Sequence, residues 1–269
     1  MSAPHCLLAG FNGLHVAVEC RTEWLAIELR RRLAHVVAPP HVDPPVILRL
    51  TLDELEPSWI EVRDSTGRCE RGSFEYASYH ARKWMTSAFV GAHADLIWLH
   101  AAAASSDGLS VLLSGPAGAG KSTLVVELIG RGWRLLADDV VAVRPGTFEA
   151  LPLPFSPEVR AAPRERDQEW PAFLAQSKVL AAIEPARVAS KPASVSALVF
   201  PEYAADVTRP LMTPLTVVSA AKALASQALH RNATTGDVFR LAGQVPSYRL
   251  RYAAPAAAAS ALAKLVRQP

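Results

Sequence analysis

The chain has 269 residues, half of them apolar and a fifth charged, which suits one large or two small globular domains and excludes a disordered polymer. Its net charge of +3 comes from basic residues that are scattered apart from the run 30–32. That argues against a nucleic-acid partner, which would gather basic charge on one face. Three cysteines without metal-like spacing fit a reducing compartment; with no signal-peptide pattern and no run of about 20 apolar residues, a soluble cytoplasmic chain off the membrane is expected.

Three regions follow one another. In residues 1–95, alternation predicts strands at 14–18, 46–52 and 59–62, and helical periodicity predicts helices at 23–34 and 74–90. Two proline pairs, at 39–40 and 44–45, break this stretch. It reads as an N-terminal α+β region, unassigned chemically and therefore a candidate for acceptor recognition. From residue 96, strands are expected at 96–101 and 110–114, with a turn at 105–108 between them. A glycine-rich loop, a helix at 122–129 and a strand at 133–143 come next; Asp138 and Asp139 interrupt that strand. Residues 156–171 read as a loop, 194–200 as a strand, and 217–230 and 254–266 as helices. The second domain is thus expected to span 96–269.

The loop Gly115-Pro116-Ala117-Gly118-Ala119-Gly120-Lys121-Ser122-Thr123 matches G-x-x-x-x-G-K-[ST] in full, between an expected strand and an expected helix. Glycines let successive backbone N–H groups turn inward on an anion. The helix that follows adds unpaired N–H groups and a positive dipole end. Lys121 reaches the outer phosphates as a mobile charge, and the Ser122 hydroxyl suits magnesium. The expected ligand is a nucleoside triphosphate.

Asp138 and Asp139 follow the loop's helix, and adjacent carboxylates in an apolar strand need compensating partners. One can serve a metal ion and the other can take a proton from an attacking hydroxyl. Strand alternation would give the two different surroundings. His100 is expected to close the strand at 96–101.

Taken together, Leu99-His100-Ala101-Ala102, the loop, and Gly132-Trp133-Arg134-Leu135-Leu136-Ala137-Asp138-Asp139 resemble the catalytic domain of HPr kinase/phosphorylase. The resemblance is closer to its shorter relatives, some of which act on peptides in natural-product clusters. Ser196-Ala-Leu-Val-Phe-Pro201 and Val245-Pro-Ser-Tyr-Arg-Leu250 look like the same relatives, whereas the first 95 residues do not look like the N-terminal domain of the bifunctional enzyme.

The resemblance implies an α/β P-loop fold of the HPr kinase and phosphoenolpyruvate-carboxykinase type, and phosphorylation of a serine-type hydroxyl with ATP and Mg²⁺. The acceptor would be a peptide, a protein or a small serine-like molecule. Carried over by motif, Asp138 is the general base, Asp139 serves the metal and His100 sits beside the carboxylates. A family Glu-Ile-Arg-Gly segment has its nearest counterpart in Glu158-Val159-Arg160-Ala161, which offers Glu158 to the metal and Arg160 to the phosphates without the final glycine. Arg164, Arg166 and Lys178 are further candidates for a transition-state cation. Oligomeric state stays open, though related enzymes assemble. Two rivals remain. One is a metabolite kinase of the shikimate or gluconate type, whose loop usually opens near the N-terminus. The other is a nucleotide-sensing partner protein without transfer activity.

Overall fold

In the computed structural model, which describes residues 5–38, 45–160, 178–229 and 235–267, a two-residue turn sets the first strand pair. Asn12 and Gly13 both take positive φ, 47° and 84°, as a tight hairpin with right-twisted arms requires. They join β1 (His5–Phe11) to β2 (Leu14–Cys20). Helix α1 (Glu23–Arg32) then crosses over to β3 (Val46–Glu56), parallel to β2, and β4 (Trp59–Asp64) and β5 (Cys69–Gly72) complete an antiparallel edge. The five-stranded order is β1-β2-β3-β4-β5. On β3 the residues Leu48, Leu50 and Leu52 are buried while Ile47 and Arg49 are exposed, so one face is apolar. Helix α2 (Phe74–Ala92), capped by Ser73, buries Ala77, Ala81, Met85 and Phe89. The helix expected at 23–34 stops at Arg32, where Leu33 leaves helical geometry.

The second unit opens with β6 (Ile97–Leu99), β7 (Ala101–Ser106) and β8 (Leu109–Ser114), followed by α3 (Lys121–Ile129). Strands β9 (Arg134–Ala137), β10 (Val141–Val143) and β11 (Glu149–Leu151) come next. Beyond β12 (Glu158–Arg160) and β13 (Lys178–Leu180) lie β14 (Ala193–Tyr203), β15 (Leu211–Pro214), α4 (Val217–Ala225), α5 (Thr235–Gln244), β16 (Ser247–Tyr252) and α6 (Pro255–Arg267). The large sheet runs β6-β10-β11-β14-β8-β7-β9, with β16 also beside β14 and β15 beside β16. Because β6 continues into β7 and β9 into β10, the two ends of this order are joined by the chain itself. Helices α3 and α6 cover one face, where Leu124, Val125, Leu128, Ala258 and Leu262 meet Ala102, Ala104, Val111 and Leu113. Alanines on β7 leave room for that helix layer.

The chain divides into Met1–His93 with Glu158–Leu180, and Ala94–Pro157 with Ala181–Pro269. A continuous second domain over 96–269 is therefore corrected. β12 pairs only with β13 in a separate two-stranded sheet, and Glu158 bonds Arg32 of α1. The loop expected at 156–171 contains strand β12, and 161–171 lie outside the described residues. The helix expected at 217–230 ends at Ala225, because the following chain turns to pair with β6: Leu229 N–H donates to Trp98 O at 3.0 Å. His230 lies outside the described residues. No described helix is long and apolar enough to cross a membrane.

In the first unit the Glu61 carboxylate accepts from Arg63 (2.8 Å) and Arg71 (2.7 Å). The Arg63 hydrogen bond, with Arg71 second, pulls its pKa from 4.5 down to about 2. A carboxyl depressed by folding contributes stability that is complete above its unfolded value and lost as pH falls through its folded value. Glu61→Gln is expected to lower the thermal midpoint at neutral pH, with the gap to the parent closing between pH 4.5 and about 2. Thermal melts across that range check it, and a gap independent of pH would exclude the ion cluster as its source.

Candidate functional site

Strand direction assembles the site. β7 pairs antiparallel with both β8 and β9, so the C-terminal ends of β8 and β9 share an edge with the N-terminal end of β7. β8 runs into the loop at 115–120, β7 is preceded by His100, and β9 is followed by Asp138 and Asp139. Three segments distant in sequence thus converge on one sheet edge.

The loop closes with Ala119 N–H donating to Pro116 O at 3.2 Å, and α3 begins with Leu124 N–H on Gly120 O at 2.9 Å. Pro116, Ala117 and Gly118 are exposed, Ser122 and Thr123 half-buried, and Gly115 and Ala119 buried. Lys121 is only 7% exposed. Its ammonium donates to Gly115 O (2.7 Å) and Pro116 O (3.0 Å) and stands 3.1 Å from His100 Nε2. An ammonium has only donors, so Nε2 must be the acceptor and the imidazole proton must sit on Nδ1. Nδ1 then donates to Asp139 O at 2.9 Å. His100 is held as a neutral ring of defined tautomer.

His100 does not close a strand, as expected for 96–101; it is the bend between β6 and β7. Its own N–H donates to Gln227 O at 2.7 Å, outside the β7–β8 ladder. Asp138 and Asp139 form the matching bend between β9 and β10. Asp139 takes φ 72°, a conformation that aspartate tolerates better than most residues, and its carbonyl meets His100. The two carboxylates do differ in surroundings: Asp138 is 3% exposed, while the Asp139 side chain is 54% exposed, 3.4 Å from His100 Nδ1. The cause is the bend rather than strand alternation.

Tyr252, the last residue of β16, supports the loop from behind. Its hydroxyl donates to Ala119 O at 3.2 Å, and burial pushes its pKa up to about 12, so it stays a neutral donor. The same hydroxyl occupies the place where a Cβ on Gly120 would lie, and Gly120 has φ 92°. Both conformation and space therefore require glycine there. Tyr252 escaped the motif-based reading. The alternation of Ser247-Tyr248-Arg249-Leu250-Arg251-Tyr252, with Ser247, Leu250 and Tyr252 buried, is the signal that could have marked its strand.

Glu158 belongs to the first unit, with Arg32 Nη1 at 2.8 Å. The backbone of Arg160 ends β12, its side chain lies outside the described residues, as does that of Lys178, and Arg164 and Arg166 lie outside them entirely. Among the described residues no three His, Cys, Asp or Glu groups cluster as a metal site.

The family model described as SynChlorMet cassette protein ScmC matches residues 83–266. It is this family, rather than HPr kinase/phosphorylase itself, whose model covers the chain. A solved structure described as the Hpr(Ser) kinase/phosphatase from Coxiella burnetii aligns with a TM-score of 0.33 and 15% identity, over 63% of this chain and 93% of that one.

Gly120→Ala should destabilise the second unit by about 1–3 kcal/mol through backbone strain, with steric conflict at Tyr252 in addition. Adding Tyr252→Phe should recover part of that loss, because the conflicting atom is gone. Gly132→Ala, at a similar φ of 94° and with only Arg187 Nη1 in ordinary contact at 3.6 Å, should show no such rescue by Tyr252→Phe. Denaturant melts of the parent, Gly120→Ala, Tyr252→Phe and the double variant form the cycle, and strictly additive effects at 120 and 252 would contradict the contact.

Proposed function

We propose that this chain, which belongs to the SynChlorMet cassette protein ScmC family, binds a nucleoside triphosphate on loop 115–123 and transfers its terminal phosphoryl group to a hydroxyl of a peptide, protein or small serine-like acceptor. The observation that carries this reading is the meeting of the Lys121 ammonium, His100 and the Asp138–Asp139 bend where a glycine loop enters a helix N-terminus.

The glycine loop and the N-terminal end of α3 that follows it favour a polyanion. Lys121 exchanges the carbonyls of Gly115 and Pro116 for phosphate oxygens. His100 keeps the ammonium aimed by offering Nε2, an acceptor only in the tautomer whose Nδ1–H is donated to Asp139 O. Asp138 accepts the proton of the attacking hydroxyl as the new O–P bond forms. The bond from the γ-phosphorus to its bridging oxygen breaks, and the electron pair leaves on the β-phosphate.

Magnesium fits the donor set: Ser122 and Asp139 are hard oxygen donors, and such sites ordinarily use one or two protein ligands with substrate phosphates and water completing them. When bound, the ion neutralises charge on the phosphates. Neither Glu158 nor Arg160 is needed for these roles, and Glu158 already has Arg32 as a partner.

Two variants test the assignment with magnesium ATP, by calorimetry for binding and by mass spectrometry of candidate acceptors for transfer. Asp138→Asn should cut turnover by about 10²-fold or more while nucleotide affinity changes by less than about threefold. Lys121→Ala should weaken nucleotide binding about tenfold or more. A parent chain that binds the nucleotide yet phosphorylates no acceptor, with Asp138→Asn changing nothing, would make it a nucleotide sensor instead.

A further inference from the structure

Strands β8, β14 and β16 run parallel, so their C-terminal ends lie on one edge, where ligands of α/β sheets bind. β8 ends in the phosphate loop. β14 and β16 end on Tyr203 and Tyr252, which face each other in register. Ala204 N–H donates to Tyr252 O at 2.8 Å and keeps these two strand ends side by side. The rings of Tyr203 and Tyr252 meet edge to face, with centroids 6.1 Å apart and planes at 85°. Tyr252 spends its hydroxyl on Ala119 O, whereas Tyr203 is 49% exposed. Pro201 O approaches within 4.0 Å of the Cβ position of Gly115, so β14 delivers Tyr203 next to the loop's entrance.

The strand order decides what this aromatic surface meets. β8 has β7 and β9 on one flank, with His100 and the aspartates, and β14 and β16 on the other. A triphosphate lying along this edge with its reacting end facing Asp138 has its other end toward the β14–β16 flank. We infer that Tyr203 is the stacking platform for the nucleobase of the triphosphate held on loop 115–123, an inference that rests on the triphosphate assignment. Stacking uses the π-face that every base has, so purine nucleotides bind with similar affinity.

The experiment compares ATP, GTP and inorganic tripolyphosphate by calorimetry on the parent chain, Tyr203→Ala and Tyr203→Trp. Tyr203→Ala is expected to weaken ATP and GTP by about five- to hundredfold and to leave tripolyphosphate unchanged, while Tyr203→Trp retains nucleotide affinity. An unchanged ATP affinity in Tyr203→Ala overturns the platform, as does an equal loss for ATP and tripolyphosphate. A parent chain that binds tripolyphosphate as tightly as ATP overturns the platform alone. A parent chain that binds neither overturns the triphosphate assignment and the platform with it.

Discussion

A lysine ammonium that is almost wholly withdrawn from water governs the site. Burying such a charge is costly unless polar groups surround it, and here backbone carbonyls of the loop itself and an imidazole nitrogen supply part of that surround. Each of these contacts constrains something else. The carbonyls of Gly115 and Pro116 can reach the ammonium only if the loop curls over it. The imidazole can accept only if it is neutral and its other nitrogen donates. That second demand fixes Asp139 O in the bend, and with it the position of both aspartates. The aspartate bend and the glycine loop are thus tied together through one proton on one histidine ring.

The tie explains why two strands must break where they do. β6–β7 and β9–β10 would each be a continuous apolar strand if His100 and Asp138–Asp139 followed the ladder. Instead both chains bend at matched positions, and the sheet folds back so that β6 and β10 pair at the far end of the strand order. Asp139 takes a left-handed conformation to do this. Local strain of that kind persists only where surrounding structure over-determines it, which is the usual situation at binding and catalytic sites. On the opposite side of the loop the constraint is steric: Tyr252 leaves room at Gly120 for a hydrogen atom and nothing larger.

What could be read from the chain in advance followed the range of the interaction. The loop at 115–123, the aspartate pair and the turn before β8 announce themselves through neighbouring residues, and the structure brings Lys121, His100 and Asp139 together. The strand break at His100 was missed because its cause, the carbonyl of Gln227, lies far along the chain. β7 was missed because a run of alanines has low strand propensity; pairing with β8 and β9 overrides it. Glu158 and Arg160 were matched on a four-residue resemblance, and short segments carry no information about which unit they join. Tyr203 and Tyr252 meet through a parallel register that no local pattern encodes.

The strand order also explains how one short motif can organise so long a stretch of chain. The end of β8 is flanked by two different environments, acidic beside β7 and β9 and aromatic beside β14 and β16. Placing β7 and β9 on one side of β8 and β14 and β16 on the other supplies both without any strand changing direction at the loop. The segments involved run from Leu99 to Tyr252, and the family match spans the same interval. The first five-stranded sheet contributes no strand to this edge, and all five of its strands lie outside residues 83–266.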